Sequence, residues 1–383
     1  MSPPREPPRY HRLSMKRGRF LLPILLVLAA ATDVGVHHVR AVGTLQRLAK
    51  GKTDGIDRED VTLDVGGTSV PARVYRAVPS GWRRGTEPGI VLCHGIHRLG
   101  IEEPRLVRFA SALAASGVHV LTPRIDALTD YRIDAASVPT IDVAARTLAA
   151  RLGRPRVGVM GFSFAGGLSL VAASRPETSA AIGLVVAVGA HDELARVTRF
   201  FAEGKAPAPH GAPLSMRPHE YGPLVLAYGQ PERFFSGGDV AIAREAMRLK
   251  LWERHPEAIE RAKALSPEGR ERFEQLTTGD RAKLAPILNA LADENGAAFR
   301  EASPHGKLGG VRVPVFLLHG AGDSVIPPTE TEWLASEVPP EDLREALVSP
   351  VIQHVELHGE PGLRDRYAVV HFLSSVLTEL DGT

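Results

Sequence analysis

The sequence predicts an α/β fold built on a mostly parallel sheet, and three observations carry that expectation. Short, largely apolar runs recur at Ile90-Val91-Leu92, Val118–Leu121, Val157–Met160 and Ile182–Val188. Runs of this kind suit strands buried on both faces. Between them stand stretches with helical spacing: Leu106, Phe109 and Leu113, then Ile141, Ala144, Leu148 and Leu152. Strand–helix alternation implies a parallel sheet covered by helices on both faces. A hexapeptide, Gly161-Phe162-Ser163-Phe164-Ala165-Gly166, then joins one such strand to the next helix.

Before the parallel region, Val61–Val65 and Val70–Tyr75 alternate apolar and polar residues around Gly66-Gly67, the pattern of a half-exposed β-hairpin. After Ser163, Leu168, Leu170 and Val171 continue a helix, and Ile182–Val188 forms the next strand. The pattern then breaks. From 191 to 310 there is no further buried strand run, only Arg/Glu-rich helical pieces such as Asp239–Arg254 and Pro256–Ala264, with a Pro-rich break over 206–213. A segment of this length is too long for a loop and must carry structure of its own. Val313–Leu318 resumes the strand pattern, Ala346-Leu347-Val348 is read as the last strand, and a helix follows from about Pro361 with Leu363, Tyr367, Val370, Leu373 and Leu377 as its stripe. The organisation expected is therefore a leader over 1–40, a core over 41–190 and 311–383, and a helical insertion over 191–310 between the sixth and seventh strands.

The composition is that of a globular chain of 383 residues: 44% hydrophobic, 23% charged, with 46 Lys+Arg against 44 Asp+Glu. A net charge of +2 gives no footprint for nucleic acid. The single cysteine, Cys93, excludes an intramolecular disulfide and a Cys-based zinc site, and its place in an apolar run marks a buried strand thiol. Residues 1–19 hold Arg5, Arg9, Arg12, Lys16, Arg17 and Arg19 against Glu6 alone, and an apolar run follows to Ala31. That run is short for a spanning helix, so a secretory signal is favoured. An uncleaved anchor extended through Val34-Gly35-Val36, or a tail followed by a core helix, is the alternative. Export or membrane anchoring, with possible membrane association, is the resulting expectation.

The hexapeptide is a strand, a tight turn carrying a serine, and a helix start. Gly161 and Ala165 are the small residues such a turn demands, and the helix start places backbone N–H groups beside the hydroxyl. Acyl transfer needs a nucleophile, a base, a group to orient the base and donors for an oxyanion. Asp323, in the loop His319-Gly320-Ala321-Gly322-Asp323 after a strand, is the candidate acid, against the simpler reading of a cap for the helix near Pro328. Among fifteen histidines, His354, His358 and His371 follow Asp323. His371 falls inside the final helix. His354 is the candidate base if 346–348 is the last strand, and His358 takes the role if 351–357 is. The N–H groups of Ile96 and Phe164 are the candidate oxyanion donors, while His94 reads as a structural turn residue.

These elements stand in the order Ser, Asp, His, each after a strand. On them, residues 60–190 and 311–380 resemble the α/β-hydrolase superfamily, most nearly its dienelactone-hydrolase-like serine esterase branch. The resemblance implies an eight-stranded sheet, a Ser163–Asp323–His354 triad, and hydrolysis of a carboxylic ester or related small-molecule substrate with no metal or organic cofactor. Ala165 stands where the pattern usually has Gly, and the 191–310 insertion is long for that branch. Acyl transfer by the same acyl-enzyme and a non-catalytic, hydrolase-fold binding protein are the competing readings. Phe200, Phe201, Tyr221, Tyr228, Phe234 and Phe235 can line an acyl pocket or form the insertion's own core.

Overall fold

The computed structural model describes residues 35–79, 87–353, 356–357 and 362–383. Its sheet has eight strands: β1 (Arg58–Val65), β2 (Thr68–Tyr75), β3 (Gly89–Cys93), β4 (His119–Pro123), β5 (Val157–Phe162), β6 (Ile182–Val188), β7 (Val315–Gly320) and β8 (Leu343–Ser349). Their spatial order is β1-β2-β4-β3-β5-β6-β7-β8. β2 runs antiparallel to β1 and β4, and every pair from β4 to β8 is parallel. This order, with one antiparallel strand near the edge, is that of the α/β-hydrolase fold.

The β1–β2 turn is Gly66-Gly67 with both φ positive, which only a primed turn requires and glycine meets without strain. β3, β5 and β6 are buried along almost their whole length because helices cover both faces. One face packs against the helices at Val138–Leu152 and Phe164–Ser174, and this core continues into the insertion. The other packs against Pro104–Ala115 and the C-terminal helix Leu363–Gly382. Cys93 lies in the core, and burial pushes its thiol up to about 12. β7 starts later than the apolar run because Pro314 has no N–H for the ladder, although its carbonyl still accepts from Val185.

The boundary expected at residue 40 falls inside a helix. A helix over 35–49 docks on the body, so a leader ending at residue 40 would cut through it. Ala41 is fully buried, and Arg40 Nη1 and His37 Nε2 reach Asp381 Oδ2 at 2.7 and 3.1 Å. The basic and apolar stretch over 1–34 lies outside the described residues. Among those described, no helix is long and apolar enough to cross a membrane.

Between β6 and β7 the chain forms helices at Leu194–Glu203, Tyr221–Gly229, Asp239–Leu251, His255–Ala262, Pro267–Thr278, Arg281–Glu294 and Ala297–Ala302. It also contains one pair of two-residue strands, Lys205–Ala206 with Leu214–Ser215, too short to leave a sequence pattern. Phe200, Phe201, Tyr228, Phe234 and Phe235 are all buried.

Candidate active site

The ends of β3, β5, β6 and β7 meet in register, with Cys93 opposite Gly161, Phe162 opposite Val188, and Val188 opposite Leu318. Ser163 stands on this edge. Its backbone has φ 55 and ψ −131, a conformation that non-glycine residues adopt only when the surroundings force it, at about 1–3 kcal/mol. The forcing contacts are visible. Ser163 N–H donates to Val188 O at 2.7 Å, and Ser163 O accepts from Gly166 N at 2.9 Å. A Cβ at Gly161 would lie 2.3 Å from Ala165 O, so a glycine is required there.

The helix Phe164–Ser174 starts immediately after the serine, and the N–H at a first helical position has no intrahelical acceptor. Phe164 N–H therefore has no acceptor within its own helix. The β3 exit lies alongside, since a Cβ on Gly95 would be 3.5 Å from Ser163 Cβ. The Gly95–Ile96 peptide is thus next to the serine, and Ile96 O accepts from Tyr221 Oη at 3.3 Å. His94 is buried and fully engaged: Nδ1 donates to Gly95 O at 2.7 Å, and Nε2 accepts from Ile125 N at 3.0 Å. It holds the loop in place and has no nitrogen left to act as a base.

Burial holds His94 down to about 4, so it is neutral when folded and gains a proton on unfolding below its usual value near 6.5. The unfolded chain then binds more protons, and stability falls as pH drops from 6.5 towards 4, by about 1.4 kcal/mol per pH unit for this one group. His94→Gln keeps an acceptor but removes the titration. Urea unfolding between pH 4.5 and 6 should show the variant's slope against pH shallower than wild type by that amount. Equal slopes would place the proton uptake elsewhere.

Asp323 is wholly buried in the loop after β7. Its Oδ1 accepts from Val325 N at 2.9 Å and Ile326 N at 3.0 Å, which fixes the carboxylate's orientation. The helix expected near Pro328 begins at Thr329, and Asp323 does not cap it. Ala321 N–H donates to Ser349 O at 3.0 Å, tying the acid loop to the end of β8. β8 itself covers 346–348, which makes that run the last strand of the main sheet. Ile352–Gln353 then pairs with Glu356–Leu357 as a small hairpin. Both candidate bases, His354 and His358, lie outside the described residues. His371 is exposed on the C-terminal helix, stacked on His38 and Tyr367.

The sequence reading missed His319. It is buried beside the acid, with Nε2 donating to Ile326 O at 2.9 Å, Nδ1 accepting from Thr331 Oγ1 at 2.7 Å, and Asp323 Oδ2 at 3.5 Å from Nε2. It braces the Asp323 loop, and its place in His319-Gly320-Ala321-Gly322-Asp323 was the available signal. His191 was also missed. Its ring lies 5.3 Å from that of Phe164 and packs so closely on Gly167 that a Cβ there would be 2.3 Å from Cε1. Among the described residues, the one grouping of three metal-ligating side chains is Asp192, His305 and Glu337, at the base of the insertion.

The insertion reaches this edge at several points. Tyr131 Oη donates to Leu251 O at 2.9 Å, Tyr228 Oη to Asp130 Oδ1 at 2.7 Å, and His219 N to Ser324 O at 2.9 Å. Ser163 is 5% exposed. Between the core and the insertion, Phe164, Leu194, Phe201, Val225 and Leu226 border an apolar void of about 10 Å³, room for a single water.

No protein-family model matches the chain, and no curated protein does. Among solved structures, it is similar to a puromycin-hydrolyzing peptidase of Mycobacterium tuberculosis at 18% identity and TM-score 0.48, covering 84% of this chain and 38% of that one. It is similar to an acylaminoacyl peptidase of Pyrococcus horikoshii at 10% identity and TM-score 0.45, covering 84% and 40%. A membrane phospholipase A described as a bacterial virulence factor gives 18% identity and TM-score 0.44, covering 94% and 98%. The chain spans about 40% of the length of these peptidases. The fold assignment rests on the strand order and the elbow.

Proposed function

We propose that the protein is a serine hydrolase that cleaves a carboxylic ester or thioester through an acyl-Ser163 intermediate. The observation that carries this is the strained Ser163 at the β5–helix turn, with Phe164 N–H beside it and the Gly95–Ile96 peptide alongside. In this reading Ser163 Oγ attacks the carbonyl carbon while the base, His354, takes its proton. The oxyanion receives the N–H groups of Phe164 and Ile96. Collapse breaks the ester bond, and the base returns the proton to the leaving alcohol or thiol. Water then repeats the sequence to free the acid. Asp323, held by Val325 and Ile326, orients the base. A fluorophosphonate probe tests the nucleophile: one equivalent should attach, on the peptide carrying Ser163. Labelling of a different serine would sink the assignment.

The insertion serves as a lid in this reading, supported by its contacts with Ile96, Asp130 and Ser324 and by the low exposure of Ser163. The void bordered by Phe164, Leu194, Phe201, Val225 and Leu226 is then the closed end of the acyl site. Leu226→Ala should enlarge it and raise kcat/KM for an octanoate ester over an acetate ester by about tenfold or more, since a methylene in an apolar pocket is worth ~1–3 kcal/mol. An unchanged ratio would place the acyl chain elsewhere. Residues 1–34 act as an export leader or anchor, with the folded body starting at the docked helix over 35–49.

A further inference from the structure

The insertion leaves and rejoins the core at one point. Asp192 stands just past β6 on the outgoing chain, and His305 stands on the returning chain, its N–H donating to Asp192 O at 3.1 Å. Glu337 ends the helix Thr329–Glu337 of the core, and its Oε2 accepts from Gly306 N at 2.7 Å. The three side chains converge. His305 Nδ1 is 3.3 Å from Asp192 Oδ2 and in contact with Glu337 Oε1. One ligand atom from each lies within 4.8 Å of the others.

The surroundings are crowded with carboxylates. Arg196 donates to Glu330 Oε1 and Oε2 at 2.6 and 3.2 Å, to Asp192 Oδ2 at 2.7 Å and to Glu193 Oε2 at 3.2 Å. One guanidinium therefore serves three carboxylates, with Glu337 a fourth beyond its reach. Asp192 is 0% exposed, and its Oδ1, one carboxylate width from the atom that faces His305, has no partner among the described residues. A buried carboxylate oxygen left without a donor is costly, and a cation is the partner such a group accepts.

We propose that Asp192, His305 and Glu337 bind a divalent transition-metal cation of the Zn²⁺ type, which staples both ends of the insertion to the core. An imidazole with two carboxylates suits Zn²⁺ and its neighbours, whereas Ca²⁺ and Mg²⁺ take oxygen ligands. The spacing agrees. Zn–N and Zn–O bonds of about 2.0–2.2 Å in a tetrahedron separate ligand atoms by roughly 3.3–3.6 Å, and the Asp192–His305 pair stands at 3.3 Å. Glu337 must draw back from its contact with His305, and its side chain, 19% exposed at a helix end, has room to do so. Asp192 Oδ1 or a water completes the shell. His305 coordinates through Nδ1, so binding at a pH where that nitrogen is protonated releases the proton.

The test uses the full chain, stripped with EDTA and titrated with ZnCl2 in a calorimeter in two buffers of different ionisation enthalpy. One Zn²⁺ per chain is expected, with proton release at mildly acid pH. His305→Ala and Glu337→Gln should each weaken binding by more than the 10–100-fold typical of losing a mere outer-shell partner. His38→Ala, in the surface cluster with His371, should bind as wild type does. The proposal is overturned if the wild-type chain takes up no stoichiometric Zn²⁺ or if either variant binds unchanged. Metal-free melting curves check that the variants fold, and His305→Gln replaces His305→Ala if the latter does not. Uptake is read without substrate, so its failure leaves the Ser163 assignment standing.

Discussion

Replacing Ser163 by alanine should abolish covalent labelling by a fluorophosphonate and lower ester turnover by at least about 10³-fold, with the melting curve unchanged. The size follows from the chemistry. Without the hydroxyl no acyl-enzyme forms, and what remains is binding and whatever stabilisation the two N–H donors give to direct attack by water. The unchanged stability follows from the geometry. The bonds that hold the strained backbone, Ser163 N to Val188 O and Gly166 N to Ser163 O, are main-chain bonds that alanine keeps. The same φ of 55 is as available to alanine as to serine. A variant that folds and retains more than about 10⁻³ of wild-type turnover would show that Ser163 is a turn residue rather than the nucleophile. The non-catalytic reading makes a separate demand: the wild-type chain itself must neither label nor turn over.

The parts of this architecture that were legible are those where one local rule acts alone. Strands buried on both faces read as apolar runs, so β3, β5 and β6 could be placed from Ile90-Val91-Leu92, Val157–Met160 and Ile182–Val188. The elbow was legible because no residue larger than glycine fits at 161, where Ala165 O lies across the turn. Contacts that depend on the folded path of the chain left no such trace. Nothing local marks Tyr221 as a partner of the Ile96 carbonyl, or Glu330 as the group that accepts from Asp192 N and Glu193 N at the mouth of the insertion. The helix that spans residue 40 left no such trace for a related reason. On the helix over 35–49 Val36, Val39 and Val42 are exposed while Ala41 is buried, so its apolar residues do not mark the inward face, where His37 and Arg40 reach Asp381 at the far end of the chain.

The choice between the two candidate bases carries the second large effect. His354→Ala should be as damaging as Ser163→Ala, at least about 10³-fold in turnover, and the double variant should be no worse than either single one. Triad members act as a unit, so the second loss removes nothing that the first has left. His358→Ala should stay within about tenfold, or ~1.4 kcal/mol of barrier. The ranking follows from where β8 ends. Strand pairing with β7 runs through Val348 and Ser349, and Ser349 O accepts from Ala321 N, in the loop that carries Asp323. The chain thus leaves the sheet beside the acid, and Ile352–Gln353 still lies against β7. In the sequence His354 follows Gln353, which pairs with Glu356, and His358 follows Leu357, which pairs with Ile352. A base must reach both the Asp323 carboxylate and Ser163 Oγ, and His354 is favoured as the first histidine after β8, the last strand of the main sheet. The opposite ranking, with turnover abolished in His358→Ala and only mildly lowered in His354→Ala, would transfer the role to His358. Loss in neither variant would remove the Ser–Asp–His assignment altogether.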